Sequence, residues 1–213
     1  MNAVAELHDD VRTAGVEYFD PDDHLLTTMR RASANAQDLH IEIKDLGSLT
    51  QLTSRGECFL QSNDLPRFFS TSPDACKLTI LDADDPRIPT TNNIGRNIDE
   101  MMWHAAFYAS GGRLMRGCYR DDVVELEYWP NLTRLPHTPN AIRIASLLLR
   151  HPTSVTLASR LLKVDTAELY QFYSAARAAG FARAVNRTPD EPKLEPHRNQ
   201  TLLSSLLKKI AGL

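Results

Sequence analysis

Apolar positions in this chain recur with two different spacings, and the change from one to the other predicts where its elements lie. The first ~20 residues show no sustained period and are expected to fray or form a short helix. Pro21-Asp22-Asp23 opens a helix through Leu25, Leu26, Met29 and Arg30. His40-Ile41-Glu42-Ile43-Lys44 alternates and reads as a strand, and 57–60 and 78–81 read as two more. Residues 65–69 form a short helical turn, and Asp82-Ala83-Asp84-Asp85-Pro86 is a turn by composition. The helical period is clearest over 97–110, where Ile98, Met101, Met102, Ala105 and Ala106 share one face and Gly111-Gly112 ends the helix. A strand over 123–129 places Val124, Leu126 and Tyr128 on one side.

Downstream the pattern is helical throughout. Asn140 caps a helix with Ile142, Ala145 and Leu149 along one face. Ser154 caps a second over 155–162. Asp165 caps a third, with Glu168 three places on in a near capping box, and Leu169, Phe172, Tyr173 and Ala176 form its core face. Gly180 ends that helix, and 181–185 reads as a strand. Near the C-terminus Leu202, Leu203, Leu206, Leu207 and Ile210 fall on one face, with Ser204, Ser205, Lys208 and Lys209 opposite. A helix this short is marginal in water, so its apolar face calls for the chain's own body, a partner or second copy, or an anionic membrane surface.

Charge adds a division that periodicity does not give. The net charge of −3 combines an acidic stretch, 1–130, with 12 basic and 22 acidic side chains, and a basic one, 131–187, with 8 and 2. Pro130, Pro136 and Pro139 break the chain between them, and Pro189, Pro192 and Pro196 stand among charged residues in 188–199. Four segments follow: an acidic α/β domain (1–130), a basic three-helix domain (131–187), a flexible linker (188–199) and an amphipathic helix (200–213). The basic segment either binds a polyanion or packs against acidic surface. The amino terminus has no apolar signal core, and three cysteines are too few for a disulfide scaffold, so a cytoplasmic location with Cys58, Cys76 and Cys118 reduced is expected.

The stretch Thr156-Leu157-Ala158-Ser159-Arg160-Leu161-Leu162-Lys163-Val164-Asp165-Thr166-Ala167-Glu168-Leu169 resembles a bacterial helix-turn-helix, with Ser159 at the small position and Lys163 where that family has a turn glycine. Ala178-Ala179-Gly180-Phe181 is similar to the passage from the third helix of a winged helix into its wing. With the Trp-Pro-Asn-Leu-Thr-Arg-Leu-Pro block before it, this part resembles two-domain bacterial signalling proteins of uncharacterised function. Strands mixed with helices before it read as an N-terminal mixed α/β sandwich, and with the amphipathic C-terminal helix the chain is expected to be α+β. The resemblance itself implies a tri-helical winged-helix-like domain. Such modules serve as DNA readers and as protein-docking units.

Chemistry narrows the choice. No pair of histidines has metal-ligand spacing, there is no Cys-x-x-Cys, and no Walker, G-x-G-x-x-G or G-x-S-x-G motif occurs, so no metal, cofactor or catalytic residue is expected. The expected role is a non-enzymatic signalling adaptor with a protein partner, docking through Tyr170, Ser174 and Arg177 on the third helix and through Leu202, Leu203, Leu206, Leu207 and Ile210 of the tail. A homodimer is another outcome of the same surfaces. A DNA-binding regulator is the alternative, with Arg143, Arg150, Arg160 and Lys163 as its cations; against it, Asp165 and Glu168 occupy the turns that would enter a groove and repel phosphate. A further alternative rests on Arg113, Arg116 and Arg120: Arg116-x-x-x-Arg120 resembles the arginine pair with which PilZ domains hold cyclic di-GMP, although Asp121-Asp122-Val123-Val124 follows where that family has its second motif. That resemblance implies an anion or nucleotide second-messenger site.

Overall fold

A computed structural model describes residues 15–90 and 93–186. The chain is mixed α+β, with six α-helices and three sheets among the described residues. The linker and the amphipathic tail lie outside them.

The largest sheet is antiparallel with five strands. β2 (Asp38–Ile43), β3 (Gly47–Leu52) and β4 (Glu57–Ser62) form its meander, flanked by β5 (Lys77–Leu81) beside β2 and β6 (Arg96–Asn97) beside β4. Alternation sets its faces: Leu39, Ile41 and Ile43 point inward, and Ile41 sits opposite Leu49, which sits opposite Leu60. β3 escapes prediction because Gly47-Ser48-Leu49-Thr50-Gln51-Leu52 reads as polar. Its Gln51 is fully buried and its amide nitrogen is satisfied, donating from Nε2 to the Met29 carbonyl at 3.1 Å and to Ser33 Oγ at 2.9 Å, while its Oε1 has no hydrogen-bond partner.

Helices α1 (Leu25–Ala34), α2 (Leu65–Ser70) and α3 (Ile98–Ser110) pack together over this sheet. Asn97 caps α3, accepting from the Asp99 amide at 2.8 Å. Nine of the thirteen α3 residues are buried, among them Trp103, His104 and Phe107, which lie off the face that periodicity marks. The wider burial has a simple cause: α3 has the sheet side behind it and a second helix layer in front. A small parallel pair, β1 (Tyr18–Phe19) with β7 (Leu114–Met115), follows its end.

The second layer comprises α4 (Ala141–Arg150), α5 (Val155–Leu162) and α6 (Thr166–Ala178). Beside it lies a three-stranded antiparallel sheet in the order β10 (Ala182–Ala184), β8 (Val123–Leu126), β9 (Thr153–Ser154). β8 precedes the expected 130/131 boundary, yet both its partners come from the basic segment. Buried apolar residues form one cluster from Phe19 to Ala182 that spans both segments. β8 is shorter than predicted: Val124 and Leu126 are buried, but Tyr128 is 64% exposed because the chain leaves the sheet before it.

Part of the charge division is answered inside the molecule. Arg183 reaches Glu125 at 2.6 Å and Glu127 at 2.8 Å, and Arg134 reaches Glu100 at 3.4 Å. These exposed pairs contribute little to stability individually, but they join basic 131–187 to acidic 1–130.

Candidate docking site

The third helix of the basic segment is an interior element. Its core face carries Leu169, Phe172, Tyr173 and Ala176, as predicted. The opposite stripe, Ala167, Gln171 and Ser174, recurs at the i, i+4, i+7 spacing of one helix face and meets the front half. Gln171 Nε2 donates to the Phe107 carbonyl at 2.9 Å, and Ser174 Oγ accepts from the Met115 amide at 3.0 Å. Gly112, at φ +91°, brings the end of α3 so close that a Cβ there would stand 3.1 Å from the Ala167 Cβ. Trp103 of α3 meets Phe172 edge to face, with centroids 5.4 Å apart.

The outward stripe predicted at Tyr170, Ser174 and Arg177 is therefore corrected. Ser174 is 0% exposed, Tyr170 is half-buried against the core, and Arg177 alone of the three is exposed. The near capping box is corrected too. Asp165 caps α6, accepting from the Ala167 amide at 3.0 Å, but Glu168 turns away and accepts from the Asn140 amide at 3.2 Å and from Asn140 Nδ2 at 2.9 Å. Glu168 so ties the start of α4 to α6. Asn140 makes no side-chain cap; its Oδ1 accepts from Arg143 instead, at 2.8 Å.

The cations proposed for DNA lie on or just after α4 and α5. Arg143 is bound locally, its second nitrogen donating to the Leu162 carbonyl at 2.6 Å, whereas Arg150, Arg160 and Lys163 are exposed. Two of the proposed anion-binding arginines are engaged locally. Arg113 donates to the Ala109 and Ser110 carbonyls at the end of α3 and lies over the Phe19 ring. Arg116 pairs with Asp20 at 3.1 Å, and the Arg120 carbonyl accepts from Thr156. Arg113 and Arg116 are thus held by different partners.

The surface left open lies elsewhere. The connection from β8 to α4 forms, with one flank of α4, a groove of about 610 Å³ lined by Trp129, Pro130, Leu132, His137 and Ile142, with Asn131 and Thr133 at its polar edge. Trp129 is 49% exposed and Ile142 60%; Leu149, seven residues on along the same flank of α4, is 40% exposed. The prolines deny this segment regular pairing, yet it is held firmly. Leu132 and Leu135 are buried, the amides of Arg134 and Leu135 donate to the Asn131 carbonyl, and the Trp103 indole donates to the Pro136 carbonyl at 2.9 Å. A rigid segment displaying a half-exposed tryptophan suits an apolar partner, because ordering it costs little on binding. Periodicity missed this groove, since it assigned Trp129 to the strand over 123–129, which ends at Leu126, and Ile142 to a helix face with Ala145.

Helix α3 carries a strongly perturbed base. His104 is buried, and burial, followed by the Arg96 guanidinium 3.5 Å from its Nε2, pushes its pKa down to about 4. The ring packs among Phe69 and Tyr108. Burial likewise pushes the Cys58 thiol up to about 12, which makes it a poor nucleophile. Among the described residues no three His, Cys, Asp or Glu side chains group to hold a metal ion, and no helix is long and apolar enough to cross a membrane. No family model, curated protein or solved structure matches this chain.

Proposed function

We propose that this protein is a non-enzymatic adaptor of a signalling pathway that receives an apolar segment of a partner protein in the groove between the 129–137 connection and α4. The observation that carries this reading is the rigidly held, half-exposed Trp129 facing the exposed flank of α4 across an apolar trough. Aromatic anchors beside aliphatic pockets are the usual centres of binding energy at protein interfaces.

The α4–α6 unit is read as winged-helix-like. Supporting this are the order helix, strand, helix, helix, strand over 141–184 and the left-handed backbone of Lys163 (φ +52°), at the position of the turn glycine in a helix-turn-helix. Its third strand, β8, comes from upstream in the chain. DNA reading is disfavoured physically: α6, the counterpart of a recognition helix, is covered on its outer stripe by α3 and β7 and carries acidic side chains in its leading turn.

Photo-crosslinking in cells tests the proposal. Benzoyl-phenylalanine at position 129 should yield discrete protein adducts that Ile142→Asp abolishes, while the same probe at 177 yields none. Adducts from 177 with nucleic acid, and none from 129, would replace this reading with the DNA regulator.

A further inference from the structure

We infer that the resident occupant of this groove is the chain's own segment 200–213, bound in cis, so that a partner must displace it. The inference rests on the docking reading above and adds its regulation.

Three observations carry it. The described chain ends at a fixed point: Asn186 Oδ1 accepts from the Val123 amide at 2.9 Å, and its Nδ2 donates to the Asp121 carbonyl at 3.0 Å, which pins it to the beginning of β8. Trp129 stands six residues further along, at most ~20 Å away at ~3.3 Å per residue. Residues 187–199 then separate Asn186 from the amphipathic segment. With three prolines among its 13 residues, a chain of that length spans from ~20 Å as a loose coil to ~40 Å in the extended polyproline conformation. The segment therefore reaches the groove, and tethering makes its binding intramolecular.

The segment's chemistry fits the site. Leu202, Leu203, Leu206, Leu207 and Ile210 offer one aliphatic face; the trough offers Trp129, Leu132 and Ile142, with Leu149 further along α4. This is the helix-in-groove mode, read at i, i+3, i+4 and i+7. A second exposed apolar pair, Leu157 and Leu161 on α5, is edged by Arg160 and Lys163. The groove adds a half-exposed tryptophan beside its aliphatic residues and is the better match.

The two tryptophans supply the readout. Trp103 is fully buried and Trp129 is half-exposed in the described structure, so any change in quenching on altering the tail reports Trp129. The full chain is compared with its double variant Leu203→Asp, Leu207→Asp, which alters no described residue. The variant should show a red-shifted emission and an acrylamide quenching constant about twice that of the full chain. A labelled synthetic peptide of residues 200–213 should then bind the variant but not the full chain, and Ile142→Asp in the variant should abolish that binding. Identical emission and quenching in the two proteins overturn the inference. If the peptide nonetheless binds the variant at Ile142, the groove remains a docking site without this resident; if it binds neither protein, the inference falls and the crosslinks from position 129 decide the docking reading separately. Protection of Trp129 that vanishes on dilution assigns the segment to a second copy, and protection seen only with anionic phosphatidylserine vesicles assigns it to a membrane. Either result overturns binding in cis.

Discussion

Helices α4 and α6 belong to one three-helix unit, both carry apolar and polar faces, and they meet opposite fates. On α6 the polar stripe Gln171 and Ser174 is interior, each side chain spent on a front-half backbone group. On α4 the aliphatic residues Ile142 and Leu149 are exposed. Polarity alone therefore does not mark the surface of this protein. Neutral polar side chains that find a partner can line an internal contact, and aliphatic ones stay open where nothing in the fold covers them.

Substitutions can widen or erase that contrast. The largest effect is expected where the two layers meet: Trp103→Ala removes the contact with Phe172 and the bond to the Pro136 carbonyl, and should cost about 3–5 kcal/mol in urea unfolding. Acid should act on the same helix. The folded-state pKa of His104, about 4, lies below its ordinary value of 6.5. Above pH 6.5 the ring is neutral in both states and stability is unaffected. As pH falls from 6.5 toward 4 only the unfolded chain takes up the proton, so up to about 3 kcal/mol is lost, and the loss levels off below 4. Unfolding curves of the native protein and His104→Gln across this window check the slope, which the variant should flatten.

Ser174→Ala leaves the Met115 amide unpaired in the interior and should cost about 1–3 kcal/mol, measured the same way. Lys163→Gly relieves the left-handed turn between α5 and α6 and should be neutral to stabilising by up to about 1 kcal/mol, which thermal unfolding would resolve. The smallest change belongs to the groove: Trp129→Ala should shift stability by no more than about 0.5 kcal/mol, the range for surface positions. It should nevertheless abolish binding of the 200–213 peptide to the tail variant, so stability and docking separate at this residue.

Periodicity made the individual elements legible wherever one side of an element meets solvent. β2 alternates cleanly, α6 shows its core face, and Asn97, Ser154 and Asp165 announce their helices. It failed where both sides are covered. α3 is buried nearly all round, so the face marked by Met101 and Ala105 describes only part of its contacts. The pairing of β8 with β9 and β10 was hidden because it joins segments that charge and prolines had separated. The groove was hidden because its tryptophan reads as the end of a strand that in fact stops at Leu126.

The account depends on α6 being sealed against α3, and native-state hydrogen exchange reads that contact directly. Amides over 171–176 and over 101–107 should exchange with one common opening free energy and one common denaturant slope, equal to those of global unfolding. Exchange over 171–176 at a distinctly lower free energy and a shallower slope, with 101–107 still protected, would show the layers parting and would return α6 to the surface as a candidate reader of DNA.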